Sequence, residues 1–292
     1  MKTVKVKFCD GIDADDLVFL PLLKKHYSVE LSDQPDYIFY GPFGYEHLKY
    51  RGIRIFTTGE CITPNFNECD YATGFDYQEF GDRYLRLPLC SIMFRDGQNT
   101  LSLALKQHSH VPAQERAHFC SYTVSNGHGM KQRTEIFYLL NAYRKVDSGG
   151  KFLNNIGHLV EDKLAFDRQH RFVICFENQS HPGYLTEKLV DAFAAGAIPI
   201  YYGDPTVAET FNPKAFINCH NFRDMEQAAR YVIEVDRNPL LYQSILSEPI
   251  LRKSPPGLPE LEAFLCHIMD QDLSDARRRP SVDPYILVRS TY

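Results

Sequence analysis

Residues 172–203 decide how this sequence folds. The stretch opens on Phe172-Val173-Ile174-Cys175-Phe176, five apolar residues in a row. It runs through Glu177-Asn178-Gln179-Ser180-His181-Pro182-Gly183-Tyr184-Leu185. Residues 186–195 then read as a helix, and residues 197–201 as a second strand. A short apolar run bounded by turn residues is the pattern of a fully buried strand. Strand, helix and strand in this order form one compact α/β unit.

The same alternation extends outward, so the fold class is α/β. Upstream, residues 119–124 read as a strand, and residues 131–145 as a helix with Ile136, Phe137, Leu140 and Tyr143 on one face. In the first half, residues 4–8, 37–40, 54–57 and 71–75 read as strands, and residues 14–26 and 44–50 as helices. The polar stretch 107–117, with His108, His110 and Pro112, is the best linker. The expected division is therefore 1–112, 113–262 and a C-terminal segment, 263–292, packing back on the first domain. A length of 292 residues suits about two domains. Two α/β halves facing each other would leave a ligand cleft between them.

Composition narrows the classes. Hydrophobic residues make up 44 % and charged residues 24 %, a globular balance. A net charge of −5 and a pI near 6.1 argue against a nucleic-acid partner. The first residues alternate apolar and polar like a strand and lack the apolar core of a signal peptide. No run approaches the roughly 18 apolar residues of a membrane span. The best, residues 189–202, is broken by Asp191, Gly196 and Pro199. The eight cysteines form no CxxC pair and no zinc-type spacing, so they read as free buried thiols in a reducing cytoplasm.

Chemistry concentrates where strands hand over to helices. Ligands of open α/β sheets collect at the carboxyl ends of strands, where helix N-termini point. Thr186 is a natural N-cap. Lys188 falls in the first helical turn, where a cation opposes the helix dipole. A phosphate there would gather backbone N–H groups, dipole and ammonium into one site. The bland alternative is a solvated lysine beside Glu187. A second strand–helix loop, Ser125-Asn126-Gly127-His128-Gly129-Met130-Lys131-Gln132-Arg133, nearly spells GxGxxG, but Gln132 replaces the third glycine, so it is no dinucleotide fingerprint. Arg133 can still reach a phosphate, or it is a surface arginine. Gly149-Gly150-Lys151 lacks the rest of a P-loop. Gly59-Glu60, after the strand at 54–57, offers a carboxylate that can serve as a base or merely as a solvated strand end. Asp13-Ala14-Asp15 is a formal DxD, but acids before a helix are more simply helix caps.

Together, Phe172 to Asn178, Gly183-Tyr184-Leu185-Thr186-Glu187-Lys188 and Ala195-Gly196-Ala197-Ile198-Pro199-Ile200-Tyr201-Tyr202-Gly203 resemble the signature of the family 10 α1,3/α1,4-fucosyltransferases. Phe119 to Asn126, Val146 to Gly150 and Phe211 to Phe216 extend the resemblance. Thr58-Gly59-Glu60, Pro64-Asn65-Phe66-Asn67 and Asp70 to Asp76 look like its bacterial branch. The likeness spans residues 55–222, about three fifths of the chain, and leaves 1–50 and 225–292 unmatched. It implies a GT-B fold: two Rossmann-like domains facing across a cleft, with acceptor bound by the first and GDP-fucose by the second. By motif, Glu60 is the general base, Arg133 and Lys188 hold the diphosphate, Asn178 and Tyr184 bind the ribose and phosphate region, and Glu187 lies near the fucose. The implied reaction moves L-fucose from GDP-β-L-fucose, with inversion, to a β-galactosyl-N-acetylglucosamine acceptor, giving Lewis-type products. It requires no metal ligand and no cofactor, although the relatives' tolerance of metal ions leaves room for stimulation by Mn²⁺. The animal members carry a membrane anchor. Its absence here points to a bacterial cytoplasmic enzyme acting on glycan precursors. Peripheral membrane contact is open, through Arg277-Arg278-Arg279 and Tyr285-Ile286-Leu287-Val288. The competing readings are another GT-B nucleotide-sugar transferase and a non-catalytic protein binding glycan or nucleotide sugar. Oligomeric state is not legible.

Overall fold

The computed structural model describes residues 1–14, 18–95, 97–108 and 116–280, with only the backbone at 107–108. The chain forms two compact units, Met1–Ile92 with Pro256–Tyr292, and Met93–Pro255. Both are α/β, as expected.

The first unit is a parallel six-stranded sheet. Its strands are β1 (Thr3–Cys9), β2 (Ser28–Leu31), β3 (Tyr37–Tyr40), β4 (Ile53–Phe56), β5 (Tyr71–Gly74) and β6 (Tyr84–Arg86), in the order β2-β1-β3-β4-β5-β6. Every residue of β3 and of β4 is buried, as a central strand covered on both faces requires. β2 escapes the apolar pattern because it is an exposed edge. Helix α1 (Phe19–His26) buries Phe19, Leu22 and Leu23. Its N-cap is Val18, which offers no side-chain acceptor. Of the two acids expected to cap this helix, Asp13 is exposed and upstream, and Asp15 lies outside the described residues. The helix expected at 44–50 is a single 3₁₀ turn, Glu46–Lys49. The carboxylate of Asp10 holds it, accepting from the N–H groups of Glu46 (2.9 Å) and His47 (3.0 Å).

The second unit begins with a hairpin, β7 (Phe94–Arg95) and β8 (Gln98–Asn99), and helix α2 (Thr100–His108). Its sheet contains β9 (His118–Tyr122), β10 (Val146–Ser148), β11 (His170–Phe176), β12 (Ile198–Tyr202) and β13 (Ile217–Asn218), all parallel, in the order β10-β9-β11-β12-β13. The helices are α3 (Lys131–Tyr143), α4 (Lys163–Asp167), α5 (Glu187–Ala194), α6 (Met225–Arg237) and α7 (Pro239–Leu246). Ile136, Phe137 and Leu140 of α3 join the core over Phe172, Ile174 and Phe176, as the helical periodicity predicts.

The domain boundaries differ from expectation. The first falls at Ile92/Met93 rather than 112/113 because α2 buries Leu101 and Ala104 and packs on α5. Arg95 also pairs with Asp191 of α5 at 3.0 Å. The second falls at Pro255/Pro256 rather than 262/263. The chain there returns to the first unit as α8 (Leu258–Asp270) and α9 (Leu273–Ala276), tied by Glu262 to Lys25 (2.8 Å) and by Asp270 to Tyr27 (2.7 Å). Arg278 pairs with Asp82 (2.8 Å) and Arg279 with Asp70, so this basic triplet is engaged within the first unit. Residues 285–288 lie outside the described residues. Among the described residues, no helix is long and apolar enough to cross a membrane.

Candidate functional site

From β9 the chain passes through α3 to β10 on one flank, and then returns through α4 to β11 on the other. The strand order therefore reverses between β9 and β11. Loops leaving two such strands diverge and open a crevice at their carboxyl ends. Arg133, in the first turn of α3, donates from an Nη to Asn178 Oδ1 at 3.0 Å and so spans this crevice. Arg133 is only 3 % exposed, and among the described residues its Nε has no hydrogen-bond acceptor. The surface alternative for Arg133 is thereby excluded. A buried guanidinium N–H without an acceptor is a costly omission, which a bound anion would repair. Gly129 gives it room: a Cβ there would stand 2.1 Å from the Nη. Met130, at the N-cap of α3, supplies no side-chain acceptor, so that helix start also faces the crevice uncapped.

Past β11, Glu177 is fully buried. Its carboxylate accepts from the Thr186 N–H (2.8 Å) and hydroxyl (2.7 Å) and pairs with Lys188 at 3.1 Å. Thr186 occupies the N-cap position of α5, but its hydroxyl is spent on Glu177 and makes no cap hydrogen bond. Lys188 Nζ also donates to Thr186 Oγ1 (2.9 Å) and to Glu187 (3.4 Å). The conflict between Lys188 and the helix dipole is thus answered by two carboxylates already in the protein. Burial lowers the lysine's proton affinity, but Glu177 and Glu187 outweigh it and the pKa is raised. Burial pushes Glu177 up. For Glu187 burial also pushes up, but the Lys188 ammonium and the residue's own N–H prevail and hold it down. Tyr184 is 2 % exposed. Its loop is pinned by Asp204, which accepts from the Gly183 N–H at 2.9 Å. Gly203 must lack a side chain, because a Cβ would meet Glu177 Cγ at 2.4 Å.

Arg133, Glu187 and Lys188 thus lie in the first turns of two helices, and Asn178 on the loop after β11, at one end of one sheet. Glu60 belongs to the first unit. It follows β4 by four residues and is half-buried, with its N–H donating to Thr58 Oγ1 at 2.9 Å. Among the described residues its carboxylate makes no hydrogen bond or ion pair. The first unit has its own reversal, between β1 and β3. There Asp10 meets the imidazole of His47 at 2.5 Å, and that ring stacks on Tyr40 at 3.9 Å. Sequence reading missed Glu177, Asp204 and Asp10 as organisers. Glu177 had a signal, a charge directly after five apolar residues, whereas the other two act through loop geometry. A 610 Å³ cavity lined by Tyr143, Arg230 and Arg237 lies toward the opposite end of α3 from Arg133.

Parallel α/β units with a buried arginine at a sheet reversal have the architecture in which nucleotides and phosphates are commonly bound. Comparison sharpens this. Residues 4–93 match the alpha-(1,3)-fucosyltransferase FucT N-terminal domain, and residues 113–247 match the C-terminal model of glycosyltransferase family 10 (fucosyltransferase). The chain belongs to glycosyltransferase family 10. It is 33 % identical over 262 residues to alpha-(1,3)-fucosyltransferase FucT of Helicobacter pylori, over 78 % of this chain and 55 % of that one. It thus spans about half the length of that curated relative. A crystal structure of an alpha1,3-fucosyltransferase with GDP superposes with a TM-score of 0.76 at 27 % identity, over 96 % of this chain and 93 % of the other. One with GDP-fucose gives 0.75 at 27 %, over 93 % and 92 %.

Proposed function

We propose that this protein transfers L-fucose from GDP-β-L-fucose, with inversion, to a hydroxyl of a GlcNAc-containing glycan such as β-galactosyl-N-acetylglucosamine. The observation that carries the donor half is Arg133: buried, short of one acceptor, and placed at the sheet reversal beside an uncapped helix start. A diphosphate oxygen supplies that acceptor. At Lys188 a second oxygen replaces the longest contact, the 3.4 Å pair with Glu187. These cations and helix N-termini stabilise the charge that grows on GDP as the glycosidic bond breaks, the step at which preorganised electrostatics contribute most. Freed of the lysine, Glu187 turns toward the fucose. Asn178 and Tyr184 frame the ribose and phosphate region.

Glu60 is the base in this reading. Among the described residues its carboxylate has no partner to surrender before taking the acceptor proton. One inversion needs one base, and the leaving group needs no metal when two cations already meet it. Mn²⁺ would then stimulate weakly or not at all. The family and the α1,3-named relative support the Lewis-type product.

The deciding experiment incubates the protein with GDP-fucose, GDP-mannose or UDP-galactose and with type 1 and type 2 disaccharides, and reads products by NMR. An α-fucoside on GlcNAc, formed from GDP-fucose alone, is expected. Transfer from another donor would move the protein to a different transferase. Tight GDP-fucose binding without turnover would make it a binding protein.

A further inference from the structure

The second unit carries another cluster at the strand ends opposite those just described. His118 starts β9 and His170 starts β11, and the two are partners across the parallel ladder. Asp147 is the middle residue of β10, on the other side of β9. Asp147 Oδ2 stands 3.0 Å from His118 Nδ1 and 3.2 Å from His170 Nε2. The His170 side chain is 1 % exposed, that of Asp147 10 % and that of His118 48 %.

The proton on His170 can be placed. Its Nδ1 lies 2.8 Å from the carbonyl oxygen of Phe166, which can only accept, so Nδ1 carries the hydrogen. In the neutral ring, Nε2 is then a bare lone pair facing a carboxylate oxygen, also an acceptor. Two acceptors hold such a distance only with a cation between them, either a proton or a metal ion. A carbonyl that fixes the far nitrogen of an imidazole is the usual outer support of a metal-bound histidine. A tetrahedral ion with bonds of about 2.0–2.1 Å spaces its donor atoms about 3.3 Å apart, close to both distances here. Exposure of His118 leaves a side open for water as a further ligand. Two imidazoles and a carboxylate suit zinc-class ions, whereas calcium and magnesium prefer all-oxygen sets. Lys145 pairs with the other oxygen, Asp147 Oδ1, at 2.7 Å, and its 63 % exposure lets it turn into solvent.

We propose that His118, Asp147 and His170 form a binding site for one divalent transition-metal ion of the zinc class, clamping β10, β9 and β11 together. β11 is seven residues long, so this site lies about 20 Å from the donor loops at the strand's other end. The ion therefore acts on stability and not on transfer, and the inference does not rest on the fucosyltransferase reading. The test dialyses the full chain against EDTA, titrates Co²⁺ while recording visible d–d bands, and measures melting with and without Zn²⁺. The wild type should bind one equivalent of Co²⁺. With Zn²⁺ 100-fold above its Kd, the Tm should rise by about 5 °C or more. His118→Ala changes a half-exposed side chain and should keep the fold, yet lose at least about 10-fold in affinity and cut the Tm rise at the same Zn²⁺ concentration to about half or less. Absence of both signals in the wild type, or their persistence unchanged in His118→Ala, would overturn the proposal.

Discussion

At the scale of single residues, the proposed chemistry turns on one carboxylate, Glu60, and two cations of different character. An acceptor hydroxyl is a poor nucleophile at neutral pH and needs its proton removed as the new bond forms. Glu60→Gln keeps the shape and removes the basicity. Steady-state transfer should fall about 10²–10⁴-fold, with the acidic limb of the pH–rate profile gone and GDP affinity by calorimetry unchanged. Near wild-type turnover would move the base elsewhere, first to Glu187. The cations should behave differently from Glu60. Arg133→Ala and Lys188→Ala should each weaken GDP binding by about 2–5 kcal/mol, while Lys214→Ala, at an exposed lysine, should not. Wild-type affinity in both variants would remove the clamp. Arg133 also holds Asn178, so far-UV circular dichroism should accompany its measurement.

At the scale of elements, loops at the strand ends are fixed by buried carboxylates. Asp10 sits at φ +54° between β1 and the 3₁₀ turn. Burial raises its pKa, but the N–H and ring of His47 and the N–H of Glu46 outweigh it and hold it below the ordinary 3.8. A carboxylate with a depressed folded-state pKa contributes stability that is complete above its unfolded pKa and lost as pH falls through the folded one. Asp10→Asn retains a residue tolerant of positive φ. Urea unfolding should show it about 1–3 kcal/mol less stable at pH 7, with the gap closing only below pH 3.8. A gap independent of pH would mean that the carboxylate charge is not what holds the turn. Central strands such as β3 and the Phe172–Phe176 run of β11 were legible because their apolar residues are contiguous and buried. The turn at Glu46–Lys49 was not, because what shapes it is a side chain 36 residues earlier.

At the scale of the whole molecule, the proposed transfer meets the charge on the leaving group with side chains and helix ends. Saturating EDTA should therefore leave most of the transfer activity at 25 °C while lowering Tm through the inferred zinc-class site. Complete loss of activity, restored by Mn²⁺, would revive a metal role for Asp13 and Asp15. The domain boundaries also belong to this scale. The polar stretch 107–117 marked a linker by composition, yet α2 before it packs on α5, and composition carries no information about which distant face a helix covers.

The sequence alone determined the α/β class, the central strands and the family, because periodicity and contiguous motifs are local. Tertiary structure decided which of those residues meet. It buried Arg133 with an unfilled donor, answered the Lys188 conflict with Glu177, and took the Thr186 hydroxyl away from its helix. It also gathered His118, Asp147 and His170 from three strands, where spacing along the chain gave no metal pattern. The physical reason is that packing joins residues distant along the chain. Sheet register sets His170 beside His118, and a loop folds Lys188 back onto Glu177, so only strand order, register and loop geometry say which residues meet.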